Sequence, residues 1–403
     1  MNQPKLQQLS LLALTLISYL MITSCNQTKP ALTAAEQLDS LFTARYGVTD
    51  TASGKVTFPN PGASVLICKG DSVLFEKSYG ESNYDTNTRI DKNTFFNIAS
   101  VSKQFTAVAI LKLYQEGKLD IESSIYDIAP RVTSFLPPKN EEFAKIKIKH
   151  LMSHTSGIMD ERPRDDRHFV LTATDMQSLE YMKGIKSLRF TPGSQYEYIN
   201  PTFQLLYVII EEVSGKPFEQ YMRDEIFTPA GMPETLYFED GRDIPRMSHG
   251  YVADKDDAPE ADKKFSERDY GEESFFATKA DGGIYTSVIE FNNWEKALRD
   301  NKILDSTTLA LAYTPQIMVT GSPYCDYQNR ENTYYAFGWF VDKTPNMPVK
   351  VYHTGDNGGY QIYAAKYPDK DLRIMVFENR NDHSRWNMAK EIDNIIKKAG
   401  FLE

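Results

Sequence analysis

The stretch Ile98-Ala99-Ser100-Val101-Ser102-Lys103-Gln104-Phe105-Thr106 places a serine and a lysine three residues apart where an apolar segment begins. The residues of 105–114 predict a buried helix, because no charge follows Lys103 before Lys112. Residues three apart lie on one side of a helix, so Ser100 and Lys103 are expected to project together.

This spacing suits a nucleophile and its proton acceptor. A lysine buried at the first turn costs free energy unless it is paired or used. Burial lowers the pKa of an amine, and a neutral amine at Lys103 can take the hydroxyl proton of Ser100. A helix N-terminus adds a positive field and free N–H groups. The alternative is that Ser100 caps the helix and Lys103 is a solvated cation; the residues alone leave both interpretations open.

Tyr196-Glu197-Tyr198-Ile199-Asn200 follows a Pro192-Gly193 turn and precedes a second apolar helical segment. A tyrosine and an asparagine two residues apart on a loop can face the same way. The phenol of Tyr198 could relay a proton, and the amide of Asn200 could hold a lysine and a substrate carbonyl. Alternatively, Asn200 caps the helix that Pro201 introduces.

The third motif, Tyr352-His353-Thr354-Gly355-Asp356-Asn357-Gly358-Gly359-Tyr360, lies where one predicted strand ends and the next begins. Its glycines allow another backbone to approach closely. Such a strand edge can pair with an extended acyl or peptide substrate, although the segment alone is equally typical of a glycine-rich turn.

In this order the three motifs resemble the SxxK, YxN and K/H-T-G pattern of the serine β-lactamase and penicillin-binding family, over roughly residues 45–400. The most similar branch holds class C β-lactamases, secreted DD-peptidases and related esterases. The segments 149–158, Ala230-Gly231-Met232 and 282–287 resemble further stretches of that branch. The resemblance implies a β-lactamase/transpeptidase-like fold and catalysis through an acyl-enzyme.

Carried over from this resemblance, Ser100 is the acylated nucleophile, Lys103 its proton acceptor and Tyr198 the general base or proton relay. The substrate would be bound by a further set of residues: Asn200, His353, Thr354, Gly355 and Asp356. Within that set His353 takes a cationic or hydrogen-bonding role. The oxyanion hole would consist of the backbone N–H groups of Ser100 and Asp356.

The triplet departs from most class C β-lactamases, which carry Lys-Thr-Gly where this chain has His353-Thr354-Gly355. A histidine there occurs in DD-peptidase and aminopeptidase relatives. The resemblance therefore implies a D-amino-acid peptide, an ester or an amide as substrate, with inefficient β-lactam hydrolysis. The alternatives are a class C-type β-lactamase and a non-catalytic penicillin- or cell-wall-binding lipoprotein.

Both ends of the chain predict strands, and the middle predicts helices. A hairpin is expected from 63–68 and 73–79 around Lys69-Gly70-Asp71, and strands from 334–341, 360–367 and 372–377. Helices are expected over 105–114, 203–213, 218–226 and 386–398, with a stop at Gly400, whereas the charged stretch 253–273 indicates an exposed loop. The fold class is α/β (α+β): an antiparallel β-sheet flanked by helices, with an inserted, mainly helical lobe.

This organisation predicts domain boundaries. Residues 26–44 form a tether and first helix, and residues 45–403 the hydrolase domain. Within that domain, about 45–113 and 280–403 form the sheet subdomain and about 114–279 the helical subdomain.

The N-terminus predicts export. Leu9 to Ile22 is a 14-residue, almost wholly apolar run, too short for a membrane span and typical of a signal peptide. Ile22-Thr23-Ser24-Cys25 resembles a lipobox, so residues 1–25 are expected to be a lipoprotein signal peptide with Cys25 as the lipidated residue. An ordinary cleaved signal with an incidental cysteine is the alternative. The protein would then be held on the exterior side of a bacterial membrane by its lipid alone.

Charge and residue spacing limit the partners. The 403 residues carry a formal charge of −10, which disfavours nucleic acid. His150 and His154 are four apart, but neither an HExxH motif nor a third ligand accompanies them, so no metal or cofactor is expected. Cys68 and Cys325 could pair in an exported protein, yet nothing in the sequence brings them together. The oligomeric state is open.

Overall fold

The computed structural model describes residues 32–47, 49–50, 55–56, 61–128, 130–163, 165–166, 169, 172–237, 246–267, 278–319 and 332–403. The predicted signal peptide with Cys25, and Cys325, lie outside these ranges. The strands are β1 Thr49–Asp50, β2 Lys55–Val56, β3 Ala63–Lys69, β4 Ser72–Tyr79, β5 Glu81–Asn83, β6 Thr88–Arg89, β7 Phe96–Asn97, β8 Leu236–Tyr237, β9 Tyr251–Ala253, β10 Phe265–Glu267, β11 Ile284–Thr286, β12 Ile317–Met318, β13 Thr333–Tyr335, β14 Phe340–Asp342, β15 Lys350–Asn357, β16 Tyr360–Tyr367, β17 Leu372–Glu378 and β18 Arg380–Asn381. The α-helices are α1 Ala34–Tyr46, α2 Lys103–Gln115, α3 Ile125–Ile128, α4 Pro130–Thr133, α5 Ile148–Met152, α6 Asp175–Leu179, α7 Asn200–Ser214, α8 Phe218–Tyr221, α9 Thr228–Ala230, α10 Val288–Arg299, α11 Ser306–Ala312 and α12 Arg385–Lys398.

The main sheet is built from both ends of the chain, as predicted. Among the described residues its strand order is β12-β13-β14-β15-β16-β17-β3-β4, and every neighbouring pair is antiparallel. The predicted hairpin is β3 and β4, and β3 pairs with β17, so the N-terminal hairpin completes the C-terminal sheet. The antiparallel α/β fold class is confirmed.

Alternating side chains of the sheet enter two separate cores. Val65 and Ile67 of β3 pack with α1 and α12, whereas Leu66 and Cys68 point into the larger core on the other face. Helix α1 begins at a capping box between Thr33 and Glu36, and it continues two residues beyond the predicted boundary at residue 44. The predicted C-terminal helix is α12. Cys68 is buried and free.

One predicted strand is wrong in detail, and the predicted position of the third motif is confirmed. Residues 334–341 are not one strand but the two strands β13 and β14, because Gly338 adopts φ +82° and turns the chain. A Cβ on Gly338 would lie 2.9 Å from the carbonyl oxygen of Lys103, so the glycine also lets this turn approach α2. The motif 352–360 lies where one strand ends and the next begins, as predicted: β15 ends at Asn357, the turn contains Gly358, and β16 begins at Tyr360.

The predicted helices α2 and α7 are both present and pack against each other. The predicted helix 218–226 is interrupted: α8 passes into a π-helical turn over Met222–Phe227 before α9. Pro229 has no N–H to donate to the carbonyl of Glu225, which removes one α-helical bond at this point.

The predicted loop 253–273 also contains structure. Residues 265–267 form β10, which pairs with β9; residues 268–273 lie outside the described ranges. No helix in the described part of the chain is long and apolar enough to cross a membrane.

Candidate active site

Ser100 lies on a 3₁₀ turn that leads into the predicted apolar helix, and Lys103 is the first residue of that helix. The turn spans Ala99–Ser102, and α2 begins at Lys103. A 3₁₀ turn has three residues per turn, so residues i and i+3 eclipse, and Lys103 Nζ lies 3.0 Å from Ser100 Oγ. The N-cap of α2 is Ser102, so the alternative of Ser100 as its cap is wrong.

Lys103 is fully buried, which excludes the alternative of a solvated cation. Its amine donates to the backbone carbonyl of Asp281 at 2.7 Å and lies 5.0 Å from the ring centroid of Tyr198. Burial lowers its pKa to about 7; the Asp281 carboxylate opposes that shift, and the Arg162 guanidinium adds to it. A large fraction of Lys103 is therefore neutral near pH 7, as a proton acceptor requires.

Strand β15 lies close against the turn that carries Ser100. A Cβ on Gly355 would be 2.3 Å from the carbonyl oxygen of Ile98 and 3.1 Å from Cβ of Ala99. Ala99 itself adopts φ +46°, a conformation that residues other than glycine rarely occupy. This close approach, which only glycine permits, brings the backbone of Asp356 beside the turn.

The surroundings of His353 favour the neutral imidazole, and thus the hydrogen-bonding role over the cationic one. Burial lowers its pKa to about 3, and the charge of Lys103 lowers it further. Its Nδ1 lies 2.7 Å from the carbonyl oxygen of Thr354, which can only accept, so Nδ1 carries the proton. Nε2 then accepts from the hydroxyl of Tyr335 at 3.1 Å. Both ring nitrogens of His353 therefore face groups of the protein.

Tyr198 lies between two imidazoles. Its ring centroid is 4.1 Å from that of His154 and 6.3 Å from that of His353. His154 Nδ1 accepts from the backbone N–H of Ile199 at 3.1 Å, so it also fixes the chain next to Tyr198. Burial holds the pKa of His154 well below its usual value, and the imidazole is neutral.

Asn200 is the first residue of α7 and does not cap it. The N-cap is Ile199, and the buried Oδ1 of Asn200 has no hydrogen-bond partner within the described residues. An amide oxygen in this position can accept from an amine or from a substrate N–H.

The two histidines considered as metal ligands do not share a helical face, because His154 lies beyond the end of α5. His150 Nδ1 accepts from the backbone N–H of Lys147, and His154 is engaged as described. In the ranges that the structure describes, no three side chains of His, Cys, Asp or Glu form a metal-binding group.

Sequence reasoning missed the supports around these residues. Arg385, buried at the start of α12, donates to Asp356 Oδ1 at 2.7 Å and to the carbonyl of Gly355 at 3.2 Å. Asp175 accepts from the backbone N–H groups of Lys279 at 2.7 Å and Ala280 at 3.3 Å, next to the carbonyl that holds Lys103. Burial raises the pKa of Asp175 to about 8. No local pattern marks either residue, because each acts on a segment far away in sequence.

Residues 57–395 match the family model described as Beta-lactamase. The chain belongs to the β-lactamase family. As a member of this family it is a serine hydrolase.

Two relatives and one solved structure show the degree of similarity. Penicillin-binding protein 4* of Bacillus subtilis is 26% identical over 84% of this chain and 71% of its own length. Protein flp of Staphylococcus aureus is 25% identical over 80% of this chain, which spans only 60% of that protein. The D-amino acid amidase of Ochrobactrum anthropi SV3, solved with L-phenylalanine amide, superposes with a TM-score of 0.70 at 19% identity. That alignment covers 91% of this chain and 99% of the amidase, and it supports the fold.

Proposed function

We propose that the protein is an exported hydrolase that transfers the acyl group of a D-amino-acid peptide, amide or ester to Ser100 and then to water. The observation that carries this proposal is the fully buried amine of Lys103, 3.0 Å from Ser100 Oγ, with a pKa lowered to about 7. An amine held neutral beside a hydroxyl is the arrangement that activates a serine for acyl transfer.

In the acylation step, Ser100 Oγ attacks the substrate carbonyl carbon while its proton passes to neutral Lys103. The carbonyl oxygen becomes an oxyanion, which the backbone N–H groups of Ser100 and Asp356 would stabilise. Collapse of this intermediate breaks the bond to the leaving amine or alcohol, which takes a proton relayed through Tyr198. The acyl-enzyme remains on Ser100.

In the second step, a water molecule attacks the acyl carbon and gives its proton back along the same route. The acid product leaves, and Ser100 regains its hydroxyl proton. Asn200 would hold the substrate through its buried Oδ1, while Thr354 and Gly355 would supply the strand edge along which the acyl chain lies. No metal or cofactor enters these steps.

The neutral His353 supports a peptide, amide or ester over a β-lactam. A lysine at this position would offer a permanent charge to a substrate carboxylate, whereas His353 offers none, because its pKa is about 3. Relatives named as a penicillin-binding protein and a D-amino acid amidase are compatible with a D-amino-acid substrate. A class C-type β-lactamase and a non-catalytic penicillin-binding lipoprotein are the competing functions.

A substrate panel distinguishes these functions. We expect kcat/KM to be higher for a D-Ala-D-Ala peptide, a D-amino acid amide or a p-nitrophenyl ester than for nitrocefin, with L-amides as the stereochemical control. A preference for nitrocefin by several orders of magnitude would instead establish a β-lactamase. Stable acylation by penicillin with no turnover of any compound would establish the binding protein.

Export and anchoring are part of the proposal and rest on residues 1–25 of the sequence. We expect processing that globomycin blocks and a mature N-terminal peptide that begins with lipid-bearing Cys25. More than one acyl chain is expected, because a single chain binds membranes only marginally. Cys25→Ala should release the protein from the membrane fraction. A mature, soluble wild-type form that lacks Cys25 would contradict the anchor.

A further inference from the structure

Asn97 joins three segments of the chain at the back of the candidate active site. It is the last residue of β7, directly before the turn that carries Ser100, and its side chain is fully buried. Its Oδ1 accepts from the backbone N–H of Ala99 at 2.9 Å and from Asn357 Nδ2 at 3.2 Å. Its Nδ2 donates to the carbonyl of Gly282 at 3.2 Å.

Each of the three residues that Asn97 contacts is adjacent in sequence to a residue that the proposed mechanism uses. Ala99 precedes Ser100, the nucleophile and one oxyanion donor. Asn357 follows Asp356, which supplies the other oxyanion donor. Gly282 follows Asp281, whose carbonyl oxygen accepts from the Lys103 amine.

These contacts hold the two oxyanion donors at a fixed spacing. Two oxyanion donors on different segments act together only if their spacing is held to a few tenths of an ångström. The segment with Ser100 begins at Ala99, which is held at φ +46° against its own preference. A bond from the Ala99 N–H to Asn97 Oδ1 favours that conformation, and the same oxygen holds the end of β15 through Asn357.

We infer that Asn97 is a positioning residue that sets the spacing between the Ser100 turn, β15 and the segment that holds Lys103. It touches neither the substrate nor the reacting atoms, and it acts through the backbone on both oxyanion donors. This inference rests on the proposed function, since the two donors matter only if Ser100 is acylated.

The test measures p-nitrophenyl acetate hydrolysis and maps the acyl adduct by mass spectrometry in wild type, Asn97→Ala, Asn357→Ala and the double variant. The matched control is Asn379→Ala. Asn379 is also fully buried and also joins three segments, through the Gly62 N–H and the carbonyls of Glu81 and His249, but none of these adjoins a proposed catalytic group.

For Asn97→Ala we expect kcat to fall about 10- to 100-fold, because a small displacement of the donors affects the transition state most. KM should change by no more than about twofold, as expected when an interaction acts only in the transition state. Asn357→Ala, at the partly exposed end of β15, should lower kcat less than Asn97→Ala does. The double variant should be no slower than Asn97→Ala, because Asn357 acts through its hydrogen bond to Asn97, which Asn97→Ala has already removed. Asn379→Ala should lower the melting temperature and keep the wild-type kcat.

The inference is overturned if Asn97→Ala acylates Ser100 at the wild-type rate, or if its loss of kcat equals that of Asn379→Ala. Additive losses in the double variant would also overturn it. If Asn97→Ala does not fold, Asn357→Ala decides alone: an unchanged kcat rejects the link to β15. A wild-type enzyme that carries no adduct on Ser100 would reject the proposed function itself, which is a separate and recognisable result.

Discussion

Replacing Lys103 by methionine is expected to lower kcat/KM by about 10²- to 10⁴-fold, the usual contribution of a positioned general base. Methionine fills a similar volume in the buried site but cannot accept the proton of Ser100. The loss should appear in the acylation rate, because that step needs the proton acceptor. Rates are measured with the best compound of the substrate panel.

The pH dependence tests the same role. Only the neutral amine accepts a proton, and burial lowers the pKa of Lys103 to about 7. In the wild type, kcat/KM should therefore rise about tenfold per pH unit below pH 7 and level off above it. This ascending limb should be absent from the methionine variant.

Lys112→Met is the matched control, because Lys112 lies on the same helix but pairs with Glu116 near the surface. Lys112→Met should keep the wild-type kcat/KM and its increase with pH below pH 7. A Lys103→Met enzyme that retains wild-type kcat/KM would show that another group takes the proton of Ser100.

Replacing Ser100 by alanine is expected to lower turnover by about 10⁴-fold or more, towards the background of a site without a nucleophile. The fold should be kept, because alanine suits helical backbone and Ser100 is only half-buried. Far-UV circular dichroism and the melting temperature check the fold, and labelling by a fluorophosphonate or penicillin probe checks the nucleophile.

Ser102→Ala provides the control for that change. Ser102 is fully buried, and its Oγ accepts from the backbone N–H of Ile284 at 3.2 Å. Its replacement should leave labelling intact. Labelling that survives Ser100→Ala would assign the nucleophile elsewhere.

Local patterns were sufficient to predict most of the main sheet and the helices α2, α7 and α12, whereas α10 was not predicted. An apolar, β-rich run identified β3, and alternating apolar residues identified β4. Further β-rich segments identified β16 and β17, and an uncharged apolar run identified α2. The pairing of β3 with β17 joins residues about 300 apart in sequence, and local patterns do not specify it. The turn at Gly338 was not predicted, because a single positive φ decides whether 334–341 forms one strand or two.

The chemical environment of the candidate site was less predictable than its members. Ser100, Lys103, Tyr198 and Asn200 were found from motifs, yet the neutral state of His353 depends on Tyr335 and on complete burial. Asn97 and Arg385 carry no motif at all, because their roles come from backbone contacts between distant segments. Such contacts are properties of the packed chain, and periodicity does not encode them.

The most direct test of the central claim, acyl transfer through Ser100, is mass spectrometry of wild-type protein quenched during turnover of a D-amino-acid ester, followed by peptide mapping. We predict an increase by the mass of the acyl group, located on the peptide that contains Ser100 and absent from Ser100→Ala. An adduct on Ser102 or Ser156, or steady hydrolysis that never produces an adduct, would contradict the account.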